Sequence, residues 1–146
     1  MTPRSVPAAV VLAAAFVACD TPAPATPPAA VVEEEFMTEP APTSNMDSPA
    51  VWMRAAGPPW LIGTGKSTNR LYVYDAATGA AIRTVGGAGT AAGAFRRPNG
   101  IAVTSDLLLV VERDNARVQV LHLPAFEPIA IFGEGILRRP YGIAVL

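Results

Sequence analysis

The chain of 146 residues has a single cysteine, Cys19. No intrachain disulfide can form, so packing alone must hold whatever folds. It has a single histidine, His122, at the end of an expected strand, where a solvated side chain is the natural reading and a catalytic one is not. No apolar run is long enough to span a membrane comfortably. The run over 6–18 is the closest, and a spanning helix needs about 20 such residues. Residues 20–46 contain no Lys or Arg at all.

A nucleotide-binding loop is also missing, although two stretches imitate one. Gly63-Thr64-Gly65-Lys66-Ser67-Thr68 supplies the second half of the phosphate-loop pattern, but the first Gly would be residue 60, which is Trp60. Such a loop must open a helix whose N-terminal N–H groups face the phosphate. Here Leu71-Tyr72-Val73-Tyr74 follows, a β-favouring run. Gly87-Ala88-Gly89-Thr90-Ala91-Ala92 fits a dinucleotide fingerprint on paper, but Pro98 forbids the helix that should come next.

What is present divides the chain into three parts. Residues 1–18 have Arg4 and then the apolar run, the form of a signal peptide. Phe16-Val17-Ala18-Cys19 resembles the bacterial lipobox, which implies lipidation at Cys19, with Phe16 standing where Leu is usual. Ordinary cleavage is the alternative, and export to the periplasm, cell envelope or medium follows either way. Residues 19–44 read as a Pro/Ala-rich disordered tether, with too little apolar surface to offset its ordering entropy. Residues 45–146 are the expected folded part. From Asp47 onward ten Lys and Arg face seven Asp and Glu. That balance is too slight to specify a partner, and no nucleic-acid partner is expected.

The strongest signal is an internal repeat. RRPNGIAV at 96–103 recurs as RRPYGIAV at 138–145, and KSTNRLYVYD at 66–75 aligns with RDNARVQVLH at 113–122. Turn residues cut the chain into expected strands at 50–53, 60–64, 70–75 and 81–85, then 100–104, 107–112, 117–123 and 128–132. Four short antiparallel strands per repeat predict an all-β fold, a β-propeller of four-stranded blades. The run 107–111 is apolar throughout, as in a strand buried on both faces. Propellers close with about four to eight blades. This chain holds two and the first strand of a third at 143–146. The expectation is a fragment of a longer propeller, with a ring closed by several copies as the alternative.

Two family resemblances follow. FRRPNGIAV, VVERDNARVQVL and FGEGILRRPYGIAV resemble the NHL repeat over 84–146, which implies a propeller and leaves function open. Asp47-Ser48-Pro49-Ala50-Val51-Trp52, then Trp60 to Ser67, then Leu71-Tyr72-Val73-Tyr74-Asp75 are similar to the opening of β-propeller phytases. That resemblance spans about 45–146 and implies a phosphomonoesterase acting on myo-inositol hexakisphosphate with Ca²⁺ as cofactor. The residue types suit the chemistry. Divalent ions neutralise a phosphate ester and activate water, Ca²⁺ gathers carboxylate oxygens, and Lys and Arg bind the remaining phosphate oxygens.

Carried over by position, the resemblance makes Asp47 a calcium ligand and makes Lys66, Arg97, Arg113 and Tyr141 substrate-phosphate residues. It assigns no catalytic residue. The chain departs from the pattern at Arg139-Pro140, where an acidic residue precedes Tyr-Gly, and at Ala102, where an Asp is usual. Simpler readings stand beside these. Lys66 is a strand-end charge, and Arg96-Arg97 with Arg138-Arg139 are structural repeats of one loop. Glu112, Arg113 and Asp114 form exposed local pairs, and Trp52 and Trp60 are core. Two functions are expected: an exported, calcium-dependent phytase-like hydrolase, tied to the membrane only through a lipid on Cys19, or a non-catalytic NHL propeller that binds a partner at the envelope.

Overall fold

A computed structural model describes residues 31–34, 36–38 and 42–146. The leader over 1–18, Cys19 and most of the tether lie outside the described residues. The fold is all-β. A short 3-10 turn, Pro42–Ser44, leads into β1 (Met46–Trp52), β2 (Trp60–Gly65), β3 (Arg70–Asp75) and β4 (Ala81–Val85). β5 (Pro98–Thr104), β6 (Leu107–Glu112), β7 (Arg117–His122) and β8 (Glu127–Phe132) follow. They form two antiparallel sheets in the orders β1-β2-β3-β4 and β5-β6-β7-β8. These are two blades of a partial β-propeller.

Local chemistry explains the turns. After β3, the Asp75 carboxylate accepts bonds from the N–H groups of Ala77 (2.8 Å) and Thr78 (3.2 Å), and Gly79 takes the left-handed conformation at φ 73°. That is an Asx turn closed by the residue that tolerates positive φ. β1 and β5 both begin earlier than expected, for one shared reason. In β1 the register jumps from Met46↔Gly65 to Pro49↔Gly63, and in β5 from Pro98↔Glu112 to Ile101↔Val110. Each is a bulge that inserts one extra residue on the first strand. Residues 143–146, expected as a strand, form none, and no described strand pairs with them.

The bulges expose a repeat that residue identity hides. Met46 and Pro98 are equivalent, so Asn45, Arg97 and Arg139 fall at one position. All three have left-handed backbone, at φ 49°, 49° and 48°. The Lys66 and Ser67 N–H groups donate to the carbonyls of Asn45 (3.2 Å) and Ser44 (3.1 Å). Those of Arg113 and Asp114 donate to Arg97 (3.1 Å) and Arg96 (3.4 Å). By the same equivalence Asp47, Asn99 and Tyr141 share the next bulge position.

The two sheets pack on a common core. Pairing sets Ile62 opposite Val73 and Thr64 opposite Leu71, so that face of the first blade meets Leu108, Val110 and Leu121 of the second. Burying one such side chain is worth about 1.5–3 kcal/mol. Trp52 joins this core as expected, with Trp60 packed at its edge. The apolar run of β6 is not sealed on both faces. Leu108, Val110 and Val111 are buried, whereas Leu107 and Leu109 are half-buried. Leu109 shares its face with Val120 and, across β8, with Ala130. Val120 is the repeat partner of buried Val73, so the second blade leaves open the kind of face that the first blade buries.

Candidate phosphate-binding rim

The start of β1, the end of β2, the start of β5 and the end of β6 meet at one edge of the blades. Met46 pairs with Gly65, and Asp47 and Lys66 flank that pair on the two strands. Lys66 Nζ lies 3.1 Å from Asp47 Oδ1, with side chains only 12% and 21% exposed. Asn99 Nδ2 donates to Asp47 Oδ2 at 3.4 Å across the blade boundary. The Thr64 hydroxyl, fully buried, donates to the Asn99 carbonyl (2.8 Å) and accepts from the Ser48 N–H (3.1 Å). It is the rivet that holds β1, β2 and β5 in line. Asn99 is itself fully buried, yet its Oδ1 has no hydrogen-bond partner among the described residues, and neither has Arg97 Nε.

Of the five expected site residues on the described chain, Asp47 and Lys66 are in direct contact. Arg97 immediately precedes β5 on the same edge, its N–H held by Asn69 Oδ1 at 2.8 Å. Arg113 follows at the end of β6, with its N–H on the Arg97 carbonyl and its guanidinium 3.9 Å from Asp114. Tyr141 stands apart. Its residue is 58% exposed, and it approaches the site through its backbone. A methyl group built on Gly100 would sit 2.7 Å from the Tyr141 carbonyl oxygen. Asn99 was not expected as a site residue. Its signal is its equivalence to Asp47, which becomes visible only through the bulges.

Behind the rim is a network whose extent the sequence did not suggest. Glu112, read as one of an exposed local set, is fully buried. Its Oε1 accepts from Arg117 Nε (2.6 Å) and Gln119 Nε2 (2.7 Å), and its Oε2 from the Arg96 N–H (2.9 Å) and Asn115 Nδ2. Arg117 then donates to the carbonyls of Thr90 (2.7 Å), Ala91 (3.2 Å) and Ala94 (3.3 Å). Gln119 Oε1 accepts from the Gly93 N–H at 2.9 Å. The long loop ahead of β5 is thus clamped to β6 and β7. Buried charge of this kind persists only when paired and bonded throughout.

The donor set does not suit calcium. Ca²⁺ takes about six to eight oxygen ligands. No group of three or more His, Cys, Asp or Glu converges among the described residues. Asp47 is engaged by Lys66, and among the described residues Asn99 Oδ1 is the one buried side-chain oxygen without a partner. The described residues therefore do not furnish a calcium site. What they offer is a cationic edge built from Lys66, Arg97 and Arg113.

The class defined by fold and site is a partial β-propeller with a basic rim. A family model for the NHL repeat matches residues 95–121, which covers β5, β6 and most of β7 with the Glu112–Gln119 clamp. No curated protein matches the chain.

Proposed function

We propose that the rim of Lys66, Arg97 and Arg113 holds the phosphates of a phosphorylated inositol, in a phytase-like propeller exported from the cell. The observation that carries this reading is the contact of Lys66, Asp47 and Asn99 at one edge, two of them residues that the resemblance puts at the ligand. A lysine donates three hydrogens, and the bond to Asp47 uses one. Asp47 fixes the ammonium in place, so binding a phosphate oxygen costs little further ordering. Arg97 and Arg113 carry forked donors that match a phosphate in two places at once.

Ca²⁺ enters this reading through the resemblance alone. It would neutralise the ester and activate water, and Asp47 would be one ligand among others not found here. Export and a lipid on Cys19 belong to the same reading, because a surface tether suits an enzyme for an external substrate. The test is phosphate release from myo-inositol hexakisphosphate, measured with calcium and with chelator. Release that requires calcium supports the reading. An absence of release, or release indifferent to chelator, removes it.

A second reading has its own support. The NHL match spans 95–121 and the carboxylates needed for metal hydrolysis are absent among the described residues. In this reading the propeller binds a partner protein and catalyses nothing. Phosphorylated inositol would then neither be hydrolysed nor bound.

A further inference from the structure

We infer that the paired arginines Arg96-Arg97 and Arg138-Arg139 form an anion ladder with the period of the blades. Its ligand is a small molecule bearing several phosphates, gripped by neighbouring blades at once. The inference rests on reading the rim as a phosphate site and extends it to residues that reading leaves unassigned.

The first blade supplies the decisive comparison. At the position of the arginine pairs it carries Ser44-Asn45. Its backbone conformation is the same, at φ 49° against 49° and 48°. Its carbonyls accept the same two N–H bonds that Arg96 and Arg97 accept in the second blade. The loop therefore needs two carbonyl oxygens and a left-handed residue, not arginine. Asn suits left-handed backbone better than a long side chain does. Loop geometry thus leaves the arginine side chains unexplained, and weighs against Arg at 97 and 139.

Nor do internal partners explain them. Among the described residues none of the four guanidinium groups has a carboxylate within ion-pair distance. The pairs found are Lys66–Asp47, Arg113–Asp114, Arg117–Glu112 and Arg117–Glu134. Arg97 Nε is buried without an acceptor, and Arg96, Arg138 and Arg139 are exposed. Glu112, whose carboxylate takes the Arg96 N–H, is already filled by four donors. The first strands lie side by side, β1 against β5 through Asp47 and Asn99, and β5 against Tyr141-Gly142 through Gly100. The pairs consequently stand one blade apart on one edge.

Guanidinium groups bind phosphate in bidentate fashion. A single phosphate can reach one pair. A ligand with several phosphates engages both, and the second contact is intramolecular, which raises affinity without any new type of bond.

Isothermal titration of the full chain in chelator, with tripolyphosphate and with orthophosphate, tests this. The variants R96S/R97N and R138S/R139N give each loop the residues of the first blade. Tripolyphosphate should bind about a hundredfold tighter than orthophosphate or more. Each variant should weaken tripolyphosphate about tenfold and melt no lower than the parent. Equal affinity for the two anions, unchanged affinity in both variants, or a clear fall in Tm would overturn the ladder. So would a DNA oligomer that binds tighter than tripolyphosphate at equal salt. Binding in chelator without any phosphate release would leave the ladder standing and remove the hydrolase. Calcium-dependent release with affinity weakened in R96S/R97N but unchanged in R138S/R139N would do the reverse.

Discussion

Replacing Arg117 by methionine should unfold much of the second blade's advantage in a single step. Arg117 is almost fully buried, and its Nε bonds Glu112, which is buried completely. Met keeps an apolar stem but removes the guanidinium. Glu112 would keep donors from the Arg96 N–H, Asn115 and Gln119, yet it would lose its countercharge. Removing one partner of a buried pair costs about 3–5 kcal/mol, because the remaining charge is stranded. The carbonyls of Thr90 and Ala91 lose their donor too, while that of Ala94 keeps Gln119, but their loop is largely exposed and water can replace it. The pair term therefore dominates. Arg113→Ala is the control. Its partner Asp114 is 3.9 Å away and half-exposed, and such pairs are worth about 0–1 kcal/mol. Urea unfolding followed by the fluorescence of the two tryptophans, Trp52 and Trp60, measures both. The chain with Arg117→Met should lose about 3 kcal/mol or more, and in a domain near 100 residues that lowers Tm by about 12 °C or more. A loss under about 1 kcal/mol, or one equal to that of Arg113→Ala, would refute the reasoning.

Other perturbations test the remaining parts. Leu71→Ala opens a cavity between the blades and should cost about 2–5 kcal/mol in the same urea assay. Thr64→Val removes a buried hydroxyl that links Ser48 to Asn99, and should cost about 1–3 kcal/mol. Gly100→Ala pushes a methyl against the Tyr141 carbonyl, so limited proteolysis should cut within 138–146 sooner while the core strands stay protected. Tyr74 titrates above its ordinary value of 10.0, first because burial disfavours the phenolate and then because Tyr72 is near. Its folded value is raised, so its contribution is complete below about pH 10 and is lost as pH rises through the folded value. Tyr74→Phe should flatten that alkaline loss, as read from Tm against pH.

Much of the fold was legible because period and turn chemistry agree. The recurrence of RRPxGIAV marked the blades, and β3, β4 and β6 fall where alternation and turn residues put them. β1 and β5 extend beyond their expected starts because a bulge breaks alternation and gives Asp47-Ser48 and Pro98-Asn99 the appearance of loop. The first blade's copy of the arginine loop was hidden for a different reason. Ser44-Asn45 shares no residue with Arg96-Arg97, and their identity lies in φ and in backbone bonds. Glu112 was misread because Asp114 and Arg113 are nearer in sequence, whereas the β6–β7 hairpin sets it opposite Arg117. The contact of Lys66 with Asp47 follows from the β1–β2 pairing and was reached in sequence only through resemblance.

Phosphate binding at the rim should depend on Lys66. The most direct measurement is a calorimetric titration of the full chain with myo-inositol hexakisphosphate, beside the variant Lys66→Met. Losing one charged hydrogen bond costs about 1.5–3 kcal/mol. Saturable binding that weakens about tenfold or more in the variant is the predicted result. An absence of binding, or equal binding by both proteins, would contradict it.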